Sequence, residues 1–332
     1  MTLRGEIPIE QVMLGDRVVT LSGNGATLKP VTWLGRVTVD MDTHPDPMTV
    51  APVIIRAGAI EEGMPVRDLV LSPDHGVSLE DDRGKRVLVP AICLVNGATI
   101  VRGPAAGTMT YYQVELEAHD VLMADGMAVE SYLENEDRTI FAPGTVISFA
   151  PRGELPKPVI GPPPDFTPRR RKREAVNVVL SQALAAPLHA RGLERAKEMG
   201  FALTDDPGLS VATDAGPVSV LSASGGRYVL QLPAGARRVV VETRPYVPAH
   251  TNMAGGDTRV LGIPVRRVAH AGAAVAIAGD AFEAGFLGAE GEGAASWRWT
   301  AGPATLRLKP KAEPSVLEID VYLGWSKYWV SS

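Results

Sequence analysis

At 332 residues the chain is longer than one hydrophobic core usually serves, so two domains are expected. Its 45% hydrophobic and 21% charged residues exclude a disordered or membrane-embedded chain, and a formal charge of -5 leaves no whole-chain nucleic-acid footprint. The single cysteine, Cys93, excludes an intrachain disulfide framework and any zinc site that draws two or more cysteines from one chain.

The opening run MTLRGEIPIEQVMLGD is charged and amphipathic, without the apolar core and small-residue cleavage site of a secretory signal. A cytoplasmic start is the expectation, with leaderless secretion left open. No stretch approaches the roughly 18 apolar residues of a membrane span. Arg4-Gly5-Glu6 followed by Ile7, Ile9 and Val12 reads as a strand already under way.

Short β-rich runs follow at close spacing: Arg17 to Leu21, Val31 to Val39, Val53 to Arg56, Leu69 to Leu71 and Val87 to Val89, with Gly, Asn and Asp between them. They predict a compact all-β module over residues 1–145. Residues 146–175 are rich in proline and end in the basic run Arg169-Arg170-Arg171-Lys172-Arg173, which predicts an extended, semi-rigid linker. That basic run could meet phosphate or an acidic surface, although such a run in a linker is more often only solvated.

Residues 176–332 read as a second domain. Leu184, Leu188, Leu193, Ala196 and Met199 share one face of a short helix, with Gly200 as its stop and Pro187 able to delay its start. Strands are expected at Tyr228 to Leu232, Arg238 to Glu242, Val260 to Val268, Trp297 to Thr300, Thr305 to Leu308 and Val316 to Tyr322. The alternation in Tyr228-Val229-Leu230-Gln231-Leu232 and Leu317-Glu318-Ile319-Asp320-Val321 marks strands with one buried face. The expected fold class is therefore mostly β: a compact N-terminal β-fold joined to a C-terminal β-sandwich with one short helix.

Two histidines stand in suggestive places. Leu69-Val70-Leu71-Ser72-Pro73-Asp74-His75-Gly76-Val77 puts His75 in a turn after an apolar strand, with a hydroxyl three residues before it. His119-Asp120 precedes Val121-Leu122-Met123-Ala124-Asp125-Gly126-Met127, a strand running into an Asp-Gly hairpin turn. These segments resemble the T-x-x-H motif and the C-terminal motif of Hint domains, the Hedgehog/intein self-processing modules, and Val66-Arg67-Asp68-Leu69 and Val87 to Ile100 look like the bacterial branch of that family. RGEIPIEQVMLGDRVVT is similar to the strand region that follows the nucleophile in that family, with its G-D-x-V turn. The resemblance covers residues 1–145.

It implies an autocatalytic acyl shift and cleavage at the N-terminal side, in which a Cys or Ser attacks the carbonyl before it. By resemblance His75 protonates the departing nitrogen, Ser72 stands in for the usual Thr as its partner, and His119 with Asp120 assists the second half. An imidazole suits such work because it gives and takes protons near neutrality. The partner would be the protein's own N-terminal precursor segment. The family's nucleophile falls roughly eight residues ahead of Met1, so this version of the chain is expected to be inactive as written. Glu130-Ser131 stands where splicing members carry a His-Asn pair, which excludes splicing by Asn cyclisation.

Other readings belong beside this one. No cofactor is expected. A metal centre drawing on His44, His75, His119 or Asp120 ranks last, for want of a fixed ligand spacing. Cys93, inside Val89-Pro90-Ala91-Ile92-Cys93-Leu94-Val95, reads as a buried core thiol. Four of the five tryptophans, Trp297, Trp299, Trp325 and Trp329, gather near the C-terminus with Tyr328. Buried, they are sandwich core, which is the expectation; exposed, they would support the alternative reading, a non-enzymatic glycan- or protein-binding protein built on a degenerate Hint fold. The run from Thr243 to Gly262 is weakly similar to β-modules appended to such proteins and assigns no activity.

Overall fold

The computed structural model describes residues 1–21, 25–133, 141, 146–147, 177–178, 182–253 and 256–331. The chain divides into two compact units, Met1–Gly200 and Phe201–Ser332, and both are built mainly of strands. Among the described residues no helix is long and apolar enough to cross a membrane.

In the N-terminal unit β1 (Arg17–Thr20) pairs with β2 (Thr27–Asp40), the longest strand. Val31, Gly35, Val37 and Val39 of β2 are buried, and a bulge between Val31 and Trp33 resets the alternation. β3 (Val53–Ile55), β4 (Leu69–Leu71) and β7 (Ile100–Arg102) form a separate three-stranded sheet. β5 (Gly76–Glu80), β6 (Arg86–Pro90), β9 (Val121–Ala124) and β10 (Met127–Glu130) join the main sheet in the order β2-β1-β9-β10-β5-β6, with β8 (Thr108–Leu116) alongside β2. The Asp125-Gly126 turn connects β9 to β10. Both residues take positive φ, 47° and 78°, as the tight hairpin turn that matches strand twist requires.

The strand expected at Arg4 to Val12 is absent. Met1 to Leu3 instead runs beside β1, bridging Thr2 to Val18, and the chain reverses at once through Gly5, whose φ is 92°. Pro8 then leads into a 3-10 turn, Ile9–Gln11. The early hydrophobics are therefore exposed, Leu3 and Met13 among them.

Most of the expected linker lies outside the described residues, including the basic run Arg169 to Arg173. Two pieces flanking it join the main sheet in parallel: β11 (Val146–Ile147) on β2 and β12 (Asn177–Val178) on β6. After the four-residue helix α1 (Pro47–Val50), the helix expected to open the C-terminal domain, α2 (Gln182–Glu198), belongs instead to the N-terminal unit. Its apolar face, with Ala185, Leu188 and Ala196 buried, is covered there, and Pro187 lies inside it instead of delaying its start.

Beside the antiparallel pair β13 (Phe201–Thr204) and β23 (Tyr328–Ser331), the C-terminal unit has two main sheets. One contains β14 (Ser210–Thr213), β17 (Arg238–Glu242) and β21 (Ala304–Arg307). The other runs β15 (Ser219–Ser224), β16 (Arg227–Leu232), β22 (Ser315–Val321), β18 (Pro264–His270), β19 (Ala273–Val275), with β20 (Arg298–Trp299) on β18. Leu230, Val268, Leu317 and Ile319 of the second sheet share one core with Val239, Val241 and Leu306 of the first. Two sheets that close on one apolar layer make the β-rich sandwich that the alternation predicted. The strand expected from Val260 begins only at Pro264, because Leu261 and Gly262 are already bonded to Tyr246 and Thr300.

Candidate functional site

His75 sits in the turn between β4 and β5. Its backbone N–H donates to the Ser72 carbonyl at 3.1 Å, which closes the turn, and Ser72 itself is buried. The far side of the turn is held by the 3-10 turn Ala91–Leu94 that follows β6. There the Ala91 N–H donates to the His75 carbonyl and the Ile92 N–H to the Pro73 carbonyl, both at 2.9 Å.

Glu130, the last residue of β10, reaches across to this loop. Its Oε1 accepts the N–H of Gly76, the residue after His75, at 2.8 Å, while Oε2 lies 3.5 Å from His119 Nε2. The side chains of His119 and Glu130 are only 4% and 6% exposed. A Cβ at position 76 would stand 2.7 Å from Glu130 Cδ, so only glycine allows this approach. One buried carboxylate thus links the His75 loop to His119. Its cost out of water is offset only by such close partners.

Asp120, although next to His119, faces elsewhere. Its Oδ1 accepts the N–H of Val121 at 2.7 Å and its Oδ2 pairs with Lys29 Nζ of β2 at 2.5 Å. Ser131 locks its backbone, since Asp120 N–H donates to Ser131 Oγ and Ser131 N–H returns to the Asp120 carbonyl. The structure therefore brings His119 to the His75 loop and turns the Asp120 carboxylate onto Lys29. The sequence marks Glu130 only as part of the pair that stands where splicing members carry His-Asn, and the structure adds it to the candidate site. An acidic residue closing the buried run Met127-Ala128-Val129 was the available signal.

Among the described residues no group of three or more His, Cys, Asp or Glu side chains gathers as an ion would need. His44 accepts the Asp46 N–H on Nδ1 at 3.0 Å, and burial lowers its pKa. Cys93 lies in the 3-10 turn beside the His75 loop and is half-buried, not a sealed core thiol. Burial first, and the Asp74 carboxylate second, push its thiol up and disfavour the thiolate.

In the C-terminal unit burial holds for Trp299 and Tyr328, but Trp325 is 45% exposed. Tyr322 stacks on Trp325 with ring centres 4.4 Å apart and planes within 11°. Trp297, half-buried, meets both edge-on, and the Arg266 guanidinium lies over the Tyr322 ring at 5.5 Å. Trp329 is also half-buried and packs edge-on against Phe201.

A family model described as "Hint domain" matches residues 1–136. No curated protein and no solved structure matches the chain.

Proposed function

Residues 1–136 are a Hint domain, and from that premise we propose that the N-terminal unit, when a Cys- or Ser-led segment is joined ahead of it, catalyses an intramolecular acyl shift that cleaves the chain on its N-terminal side. A Cys or Ser side chain on a segment joined ahead of Met1 attacks the carbonyl carbon of the peptide bond before it. The C–N bond breaks, the nitrogen leaves as an amine after gaining a proton, and a thioester or ester remains for water or a thiol to open.

The observation that carries this reading is the buried Glu130 carboxylate joining His119 to the backbone of the His75 loop. His75 delivers the proton to the leaving nitrogen, and Ser72 closes the turn that presents it. Glu130 orients His119 and balances the charge the imidazole gains when it takes a proton from the attacking group. Asp120, held by Lys29, fixes the chain beside His119 and acts as a positioning residue. Cys93 is given no part, because its thiol is pushed up and it lies in the 3-10 turn.

The test joins a short Cys-led segment ahead of Met1, adds hydroxylamine or dithiothreitol, and follows chain length on gels. Cleavage in the wild type that disappears in His75→Ala is the expected result. An extended wild-type chain that stays intact, or a His75→Ala chain that is cut as fast, overturns the reading.

A second reading concerns the C-terminal unit and rests on the half-exposed face of Trp325. An aromatic face held rigid by Tyr322 and Trp297 suits the apolar face of a sugar ring, so this unit binds a glycan, whether or not the first unit reacts. Binding on a glycan array that Trp325→Ala removes is expected. No binding by the wild type, or binding to a protein ligand in its place, sinks it.

A further inference from the structure

Helix α2 begins well past residue 136, where the family match ends, yet it is packed on the element that clamps the His75 loop. We propose that α2 is a positioning element of the processing site, holding the 3-10 turn Ala91–Leu94 and, through it, the loop that carries His75. The value of this contact for processing rests on the acyl-shift reading above.

The path is continuous. His189 of α2, only 3% exposed, places Nε2 at 3.1 Å from the carbonyl of Val95, the residue that ends the 3-10 turn. The next residue, Asn96, is fully buried and donates Nδ2 to the Gly192 carbonyl of the helix at 3.1 Å. Its Oδ1 accepts the N–H groups of Ala98, Thr99 and Ile100, so this amide shapes the loop against the helix. Arg195 Nε donates to the Gly58 carbonyl at 2.9 Å and Arg191 to the Glu80 carbonyl at 2.7 Å, pinning the helix at two further points.

From the 3-10 turn the Ala91 and Ile92 amides then pass to His75 and Pro73. A four-residue 3-10 turn has poor hydrogen-bond geometry of its own and needs outside support. β6 supplies that support on one side and α2 on the other. Coupling is therefore carried by bonded groups from the helix to the His75 carbonyl.

Amide exchange in the full chain tests this without requiring cleavage. His189→Ala is expected to speed exchange at Ala91 and Ile92 about tenfold, the loss of one buried hydrogen bond. The amides of β9 and β10 should keep their protection, and His189→Gln, which can still donate to Val95, should restore the slow rates. In the Cys-extended chain His189→Ala should slow cleavage and shift its pH profile, with recovery in His189→Gln.

Unchanged exchange at Ala91 and Ile92, or equal acceleration across β9 and β10, overturns the proposal. If His189→Ala does not fold, Arg195→Gln removes the bond to Gly58 from a partly exposed side chain. That variant should give the same local pattern at about threefold, and its absence is equally fatal. Failure of the extended wild type to cleave would count against the acyl-shift reading alone, since the exchange result stands by itself.

Discussion

In the N-terminal unit the carboxylates of Glu130 and Asp120 lie buried at strand ends, one against His119 and the other against Lys29. In the C-terminal unit Glu318 and the buried Asp320 of β22 lie on the face opposite the core, where the half-exposed Arg227 and Arg267 cover and pair with them, while Leu317, Ile319 and Val321 fill the apolar layer. Buried ionic pairs add little net stability because both partners lose their water. An aliphatic layer adds it with every methylene. The first unit therefore buries two carboxylates that each need one close partner, whereas the second is stabilised by its aliphatic layer and holds its β22 carboxylates with arginines that reach in from the surface.

The largest expected effect tests the first half of that contrast. Glu130→Ala strands the buried His119 ring and the Gly76 N–H, and should cost about 3–5 kcal/mol in urea denaturation. Glu130→Gln, which retains an acceptor, should cost less; equal losses for the two would mean that bulk and not the bonding of the carboxylate matters. Leu230→Ala probes the second half. Leu230 is fully buried, so a loss of about 2–5 kcal/mol is expected in the C-terminal transition. Amide protection in β9 and β10 should be untouched, and a parallel loss there would break the comparison.

Alkaline pH is expected to act on both units through buried phenols. Burial pushes Tyr328 up to about 12, and its hydroxyl donates to the Gly262 carbonyl. Its folded pKa lies above the unfolded value of about 10, so its contribution is complete below pH 10 and is lost as pH rises through 12. About 2–3 kcal/mol should go over that window. In the N-terminal unit burial moves Tyr111 in the same direction, and its hydroxyl donates to the Val50 carbonyl at 2.5 Å. Urea melts from pH 9 to 12 on Tyr328→Phe and Tyr111→Phe should each show a flatter alkaline limb in one unit only. The smallest effect belongs to the β9–β10 turn: Gly126→Ala, at a φ of 78°, should cost about 1 kcal/mol and raise exchange locally at Ala124 and Met127.

Much of the strand framework was legible because strand patterning is local. The alternation in Tyr228 to Leu232 and Leu317 to Val321, and the Asp125-Gly126 pair, each declare themselves within a few residues. The early run from Arg4 to Val12 misled for the converse reason: its apolar residues suit a strand, but the turn at Gly5 and the fixed φ of Pro8 end the pairing with β1. The site was half legible. His75 and His119 came from motifs, whereas Glu130 needed the pairing of β10 beside β5 to bring it over Gly76.

By itself the sequence determined the mostly β character, the position of the hairpin turn, the Hint resemblance of the N-terminal region and the existence of one amphipathic helix. These depend on side-chain period and backbone preference, which act within a few residues. Only the tertiary structure decided which carboxylate meets His119, that Asp120 turns to Lys29, that Trp325 keeps an open face, and that α2 closes on the N-terminal unit. Each of those is a contact between residues distant in the chain, and nothing in a local pattern fixes which distant partner satisfies a buried polar group.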